Sequence, residues 1–169
     1  QPPDYCFPLR LEEQIVLEAV LKANPNDGRA AYYLGNLYYD KKQYDKAISE
    51  FEKSLEIYDR WGITTTWIYN YTVLGKAYHK TGKYRKERRL YSIAKPILPD
   101  DPLLIFNQAV LALSEGKYEE ANEHIDEYIS IQKEKSISEA TTASRVGDIY
   151  ADADVLDKAE KYYRMALSL

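Results

Sequence analysis

The sequence predicts an all-α chain, an α-solenoid of antiparallel helix pairs, and three observations carry that prediction. A small residue within one helix-like segment is followed, at fixed offsets, by aromatic residues and a second small residue in the next segment, and the set occurs four times in 169 residues. The two segments of each set are joined by a short polar stretch, the connection an antiparallel helix pair needs. Hydrophobic residues make up 45% of the chain, enough for a packed core, while a mean hydropathy of −0.56 and the lack of a long unbroken apolar run exclude a membrane-spanning helix.

The chain divides in order. Residues 1–9 read as an extended N-terminal cap in which Tyr5, Cys6 and Phe7 cover the apolar side of the helix that follows, as every finite array requires. Residues 10–23 form a lone helix, closed by the turn Asn24-Pro25-Asn26-Asp27. Four repeats follow at 28–58, 68–99, 102–133 and 138–169. In the first, Leu34-Gly35 precedes Tyr38, Tyr44, Ala47, Phe51 and Ser54, which lie 3, 9, 12, 16 and 19 residues beyond the glycine. The second keeps the offsets with Gly75, Tyr78, Tyr84, Tyr91 and Ala94, but carries Glu87 where a small residue is expected. The third is looser, with Ala109, Ala112, Tyr118, Ala121, Ile125 and Tyr128; the fourth has Gly147, Tyr150, Leu156, Ala159, Tyr163 and Ala166. Small residues at both reference positions let two helices cross closely, and the aromatics fill the space beside the crossing. Reference residues are 40, 34 and 38 positions apart, so about six surplus residues fall near Tyr58 to Trp67 and about four near Lys133 to Ser138. These lengthen helices or loosen a joint. Thr64, Thr65 and Thr66 offer N-cap hydroxyls to the second repeat, and Ser136 and Ser138 to the fourth.

These offsets resemble the tetratricopeptide repeat family over four units, with residues 10–23 similar to the second half of an earlier one. The resemblance implies a right-handed superhelix and a non-enzymatic protein-binding scaffold without cofactor. Residues 2–56 are also similar to repeat arrays of large bacterial multidomain proteins. Gln1 is no initiator, and the last segment, 159–169, has no Gly or Asn cap, so the chain reads as a fragment whose compartment is not encoded in it.

Catalytic motifs are missing: there is no HExxH, GxxxxGK[ST], GxGxxG or GxSxG. His79 reads as a solvent-facing side chain. His124 shares a helix face with Glu120 and Glu127, a spacing able to hold a divalent ion, although the surrounding acidic helix reads as a solvated face and no metal is expected. Asn24, Asn26 and Gly28 begin like a calcium loop, but Gly35 stands where the bidentate glutamate is required, so a turn is the reading. Cys6 has no base beside it in sequence and can form no internal disulfide. Lys80, Lys83, Arg85, Lys86, Arg88 and Arg89 concentrate charge in a chain with net charge −4. A nucleic-acid reading of that stretch would need Tyr84 and Tyr91 for stacking, yet both occupy packing offsets, and nucleic acid is not the expected partner.

In the family, first helices line a concave surface, and the resemblance therefore implies a peptide-binding face at Tyr32, Asn36, Tyr39, Tyr69, Thr72, Lys76, His79, Lys80 and Phe106. Arg29 lies at its rim, and Val110, Leu113, Ser144, Asp148 and Ala151 continue it. Such a face suits an extended or helical peptide with an acidic portion near Lys76 and Lys80 and an apolar anchor near Phe106. The carboxylate-clamp variant is not implied: Asn36 matches one clamp position, but Tyr32, Val73 and Leu103 replace the others. Self-association through Tyr162, Met165 and Leu169 of the last helix, and RNA binding through residues 80–89, are the alternatives to peptide binding.

Overall fold

The computed structural model describes residues 11–63 and 68–169. The expectations placed on Tyr5, Cys6, Phe7, Arg10, Thr64, Thr65, Thr66 and Trp67 lie outside those residues. Among the described residues there are nine helices and no strand: α1 (Leu11–Ala23), α2 (Gly28–Asp40), α3 (Tyr44–Arg60), α4 (Tyr69–Lys80), α5 (Tyr84–Ala94), α6 (Pro102–Ser114), α7 (Tyr118–Glu134), α8 (Glu139–Asp152) and α9 (Leu156–Ser168). The contacts fall into two compact units, the first ending at Glu87 and the second beginning at Arg88.

First helices α2, α6 and α8 start differently from second helices α3, α7 and α9, whereas α4, preceded by Ile68, has no side-chain cap. The Asp27 carboxylate accepts from the Arg29 and Ala30 N–H groups at 3.1 and 3.0 Å, and Asp101 accepts from Leu103 and Leu104 ahead of α6, whose first residue is Pro102. Ser138 accepts from the Thr141 N–H at 3.2 Å and caps α8; Ser136 instead adopts φ 56° in the preceding turn. Second helices α3, α7 and α9 have no side-chain cap. They emerge directly from a hairpin turn in which Lys42, Gly82, Gly116 and Asp154, each seven residues past the reference small residue, take φ of 57°, 67°, 74° and 58°. The following N–H then closes back onto the first helix in every repeat: Gln43 to the Tyr38 carbonyl, Lys83 to Tyr78, Lys117 to Ala112 and Val155 to Tyr150, at 2.8 to 2.9 Å.

The surplus residues lengthen second helices. α3 and α7 each run 17 residues, against 11 in α5 and 13 in α9. Both end in the same left-handed closure, at Gly62 and at Ser136.

Within the first unit, α2 packs mainly on α3, α4 packs on α3, and α2 touches α4; Leu34, Leu37, Ala47, Phe51 and Leu74 are buried between them. Burying a side chain such as Phe51 contributes about 2–3 kcal/mol. The crossing is as close as the pattern requires: a Cβ on Gly35 would stand 2.5 Å from the Phe51 ring. In the second unit α6 pairs with α7 and α8 with α9, around Ile105, Ala109, Ile125, Val146 and Ile149. There a Cβ on Gly147 would stand 2.6 Å from the Tyr163 ring.

Candidate functional site

The expected ligand face divides on burial. In the first unit Tyr32 is 2% exposed and Thr72 1% exposed, so neither faces a ligand. Both lie three residues before the reference glycine, beside the helix crossing. The Tyr32 ring packs 5.8 Å from Phe51, which fills the space that Gly35 leaves, and 5.7 Å from Tyr33, and burial pushes its hydroxyl pKa up to about 12. Asn36 is also buried, and its amide donates to the Tyr32 carbonyl of its own helix at 3.2 Å. Arg29 and Asp40 at the ends of α2 are exposed and Tyr33 and His79 half-buried; the rest of the accessible surface on α2 and α4 is made of Tyr39, Tyr69, Val73 and Lys76, all partly buried, and the exposed Lys80. The Tyr39 ring lies edge-on to Tyr44 at 5.3 Å, which fixes one side of this surface.

His79 is not the solvated side chain expected of it. Its side chain is 15% exposed, its Nδ1 lies 3.0 Å from an oxygen of Glu87, and its ring sits 5.2 Å from Tyr84. Glu87 is 1% exposed. The glutamate that interrupts the small-residue pattern is therefore a buried partner of a histidine one helix away, which explains how a carboxylate occupies a core position.

A second set of residues escaped the sequence reading. The Tyr38 hydroxyl donates to Glu18 of α1 at 3.0 Å, and the Tyr78 hydroxyl donates to Glu52 of α3 at 2.6 Å, so each tyrosine ties its hairpin to the helix before it. Lys46, Lys86 and Lys158 lie over the rings of Tyr38, Tyr78 and Tyr150 at 5.1 to 5.5 Å. These lysines are 11 residues past the reference glycine, and Glu52 is 17 past it. The lysine recurs with the tyrosine in three repeats, whereas offset 17 is Ser92, Asp126 and Arg164 in the others. Lys86 also bonds Glu52 at 2.9 Å. Burial opposes ionisation of Glu52, but the bonds from Tyr78 and Lys86 together outweigh it and hold the carboxyl below its ordinary range.

These pairings consume much of the basic stretch. Lys83 bonds Asp45 at 2.6 Å, Lys86 bonds Glu52, and Arg88 is forked between Glu115 and Glu120. Tyr91 is 1% exposed and Tyr84 lies against His79, so neither is an open stacking platform. The acidic helix face is used as well: Glu120 and Glu127 flank His124 at 3.8 Å each, but Glu120 is held by Arg88 and Glu127 by Lys95 at 2.6 Å. Among the described residues no group of three His, Cys, Asp or Glu side chains is placed to hold a metal ion.

In the second unit the apolar part of the expected face is core. Val110 and Leu113 are each 5% exposed, and Phe106 packs partly buried against Tyr128 at 6.2 Å. Asp148 accepts from the Tyr163 hydroxyl at 2.9 Å and pairs with Arg145, while Ser144 and Ala151 are half-buried. On α9, Met165 and Leu169 are 47% and 61% exposed, but Tyr162 is stacked on Tyr150 at 5.5 Å. No described helix is long and apolar enough to cross a membrane.

Comparison with known proteins agrees with this architecture. Residues 26–96 match the tetratricopeptide repeat family. A curated relative, Superkiller protein 3 of Schizosaccharomyces pombe, is 28% identical over 120 residues, which are 69% of this chain and 8% of that protein. The chain therefore spans a small fraction of the relative it matches. Among solved structures, MamA superposes with a TM-score of 0.67 at 22% identity, over 92% of this chain and 85% of that one. The structure titled YrrB, a TPR protein with an unusual peptide-binding site, gives 0.61 at 19% identity, over 92% and 75%. The Cut9 and Hcn1 hetero-tetramer of APC/C gives 0.65 at 19% identity, over 92% of this chain and 29% of that one.

Proposed function

We propose, from the match of residues 26–96 to the tetratricopeptide repeat family, that the first unit of this chain binds a peptide segment of a partner protein across α2 and α4, without chemistry of its own. The observation that carries this reading is the accessible set Tyr39, Tyr69, Val73, Lys76 and Lys80 on two touching first helices. Tyrosine suits such work, because it offers a large contact area with few rotatable bonds and a hydroxyl for hydrogen bonding. An affinity in the micromolar range, about −8 kcal/mol, is expected of a peptide bound across two helix faces. The peptide-binding site named for YrrB, which shares the fold, adds to the reading.

The test is selection of displayed peptides on the purified chain, followed by titration of the selected peptides against Tyr39→Ala with Tyr69→Ala. A loss of at least tenfold, with the helical circular dichroism unchanged, is expected. Unchanged affinity removes α2 and α4 from the reading.

A second reading, self-association through α9, is favoured by the exposure of Leu156, Met165, Leu167 and Leu169. It predicts a mass by light scattering that rises with concentration and falls back on Met165→Glu. A constant monomer mass at high micromolar concentration contradicts it.

A further inference from the structure

We infer that the partner of the α2 and α4 surface is an acidic segment that binds extended, with two carboxylates two residues apart meeting Lys76 and Lys80; this rests on the peptide-binding reading above. The argument is an accounting of charge. Between Lys76 and Lys95 the chain holds eight cations besides His79, and Lys83, Lys86, Arg88 and Lys95 are each paired with a carboxylate of a neighbouring helix. His79 is matched by Glu87. Lys76 and Lys80 are matched by none of the ion pairs among the described residues, and α4, from Tyr69 to Lys80, contains no Asp or Glu.

Their position sharpens the inference. Lys76 is partly buried and stands on a helix without any carboxylate, so an incoming carboxylate meets a cation that its own helix leaves uncompensated. Arg85 and Arg89, the other two unmatched cations of the stretch, are exposed on α5 and gain less from the same encounter. Lys76 and Lys80 stand one helical turn apart, about 6 Å along the axis at 1.5 Å per residue. In an extended peptide, alternate side chains point the same way and recur about every 6.6–6.8 Å. An Asp or Glu at positions i and i+2 therefore meets both lysines at once, and the rest of the segment runs onto Tyr69 and Tyr39.

Two fluorescein-labelled 12-residue peptides test this, one with a Glu-Ala-Glu centre between flanking Leu and Phe residues, the other with Gln-Ala-Gln. Anisotropy titration at low salt is expected to show the acidic peptide binding about tenfold more tightly, the difference shrinking as salt is added. Lys76→Glu with Lys80→Glu is expected to abolish the preference and to bind a Lys-Ala-Lys peptide instead. Both positions are accessible, and a circular dichroism melt within a few degrees of the parent verifies the fold. Equal binding of the Glu and Gln peptides, or failure of the swapped pair to bind each other, overturns the acidic partner. If peptides selected by display bind α2 and α4 irrespective of charge, the inference fails while the peptide-binding reading stands. If no peptide binds that surface at all, both fall together.

Discussion

The hairpin of α2 and α3 and the hairpin of α6 and α7 solve one packing problem with different residues. In the first, Gly35 leaves room for the Phe51 ring; in the second, Ala109 faces a chain with Ile125 at the same offset. In the first, Tyr38 at offset 3 carries Lys46 over its ring; in the second, offset 3 is Ala112 and offset 11 is Glu120, which Arg88 holds. Each substitution in the looser repeat is thus matched by another. An aliphatic partner in place of the aromatic ring accompanies a larger reference residue, and a carboxylate held by an arginine accompanies the loss of the tyrosine. The lesson is that the repeat is specified by coupled positions, and a repeat that departs at one of them stays folded by departing at the other.

The largest effect that breaks this comparison is Gly35→Ala. A Cβ at 2.5 Å from Phe51 forces the ring or the crossing to move, at a cost of about 3 kcal/mol. Adding Phe51→Ile reproduces the pairing of the third repeat and is expected to recover at least about 1 kcal/mol relative to the sum of the single changes, measured by urea unfolding in a double-mutant cycle. Strict additivity would show that the two offsets are independent.

Next comes the polar tie. Arg88→Ala leaves Glu120 without its guanidinium and Glu115 with Lys117 alone, and is expected to destabilise by about 2 kcal/mol. Tyr78→Phe removes one hydrogen bond to Glu52, which keeps Lys86, and is expected to cost about 1 kcal/mol. The reverse order would place the stronger tie in the tyrosine joint.

The same ties set the acid limit. The bonds from Arg88 hold the Glu120 carboxyl below its ordinary value, and Glu18 is lowered by its bonds from Gln14 and Tyr38. A folded-state value below the unfolded one means stability that is fully present above the ordinary glutamate pKa of 4.5 and lost as pH falls through the depressed values. Thermal melts are therefore expected to fall below about pH 4.5, less steeply in Arg88→Ala. An unchanged acid slope in that variant contradicts the assignment.

The smallest effect is a gain. Asp154 holds the left-handed turn position that Gly82 and Gly116 hold in other repeats, so Asp154→Gly is expected to stabilise by about 0.5 kcal/mol. Destabilisation would show that the Asp154 side chain contributes to the turn.

The hairpins were legible in the sequence because helix crossings demand small residues, and their spacing survives even where Glu87 intrudes. The binding surface was less so. Helical spacing places Tyr32 and Thr72 on the first-helix face with Asn36 and Lys76, but it does not tell which side chains the neighbouring ring of Phe51 encloses. That depends on the depth of the crossing, which exists only in three dimensions. His79 was misread for the same reason, since its partner Glu87 lies on the next helix. The tie between Tyr78 and Glu52 spans 26 residues, and Ser92, Asp126 and Arg164 stand at the offset of Glu52 in the other repeats, so no recurring pair announces it.

The central claim is that the accessible faces of α2 and α4 do the binding. Amide chemical shifts of the labelled chain, followed during titration with the Glu-Ala-Glu peptide, test it most directly. The account predicts shifts concentrated at Tyr39, Tyr69, Val73, Lys76 and Lys80, with the outer residues of α3 and α7 unmoved. Shifts centred on Arg85 and Arg89 of α5, or on Met165 and Leu169 of α9, would contradict it.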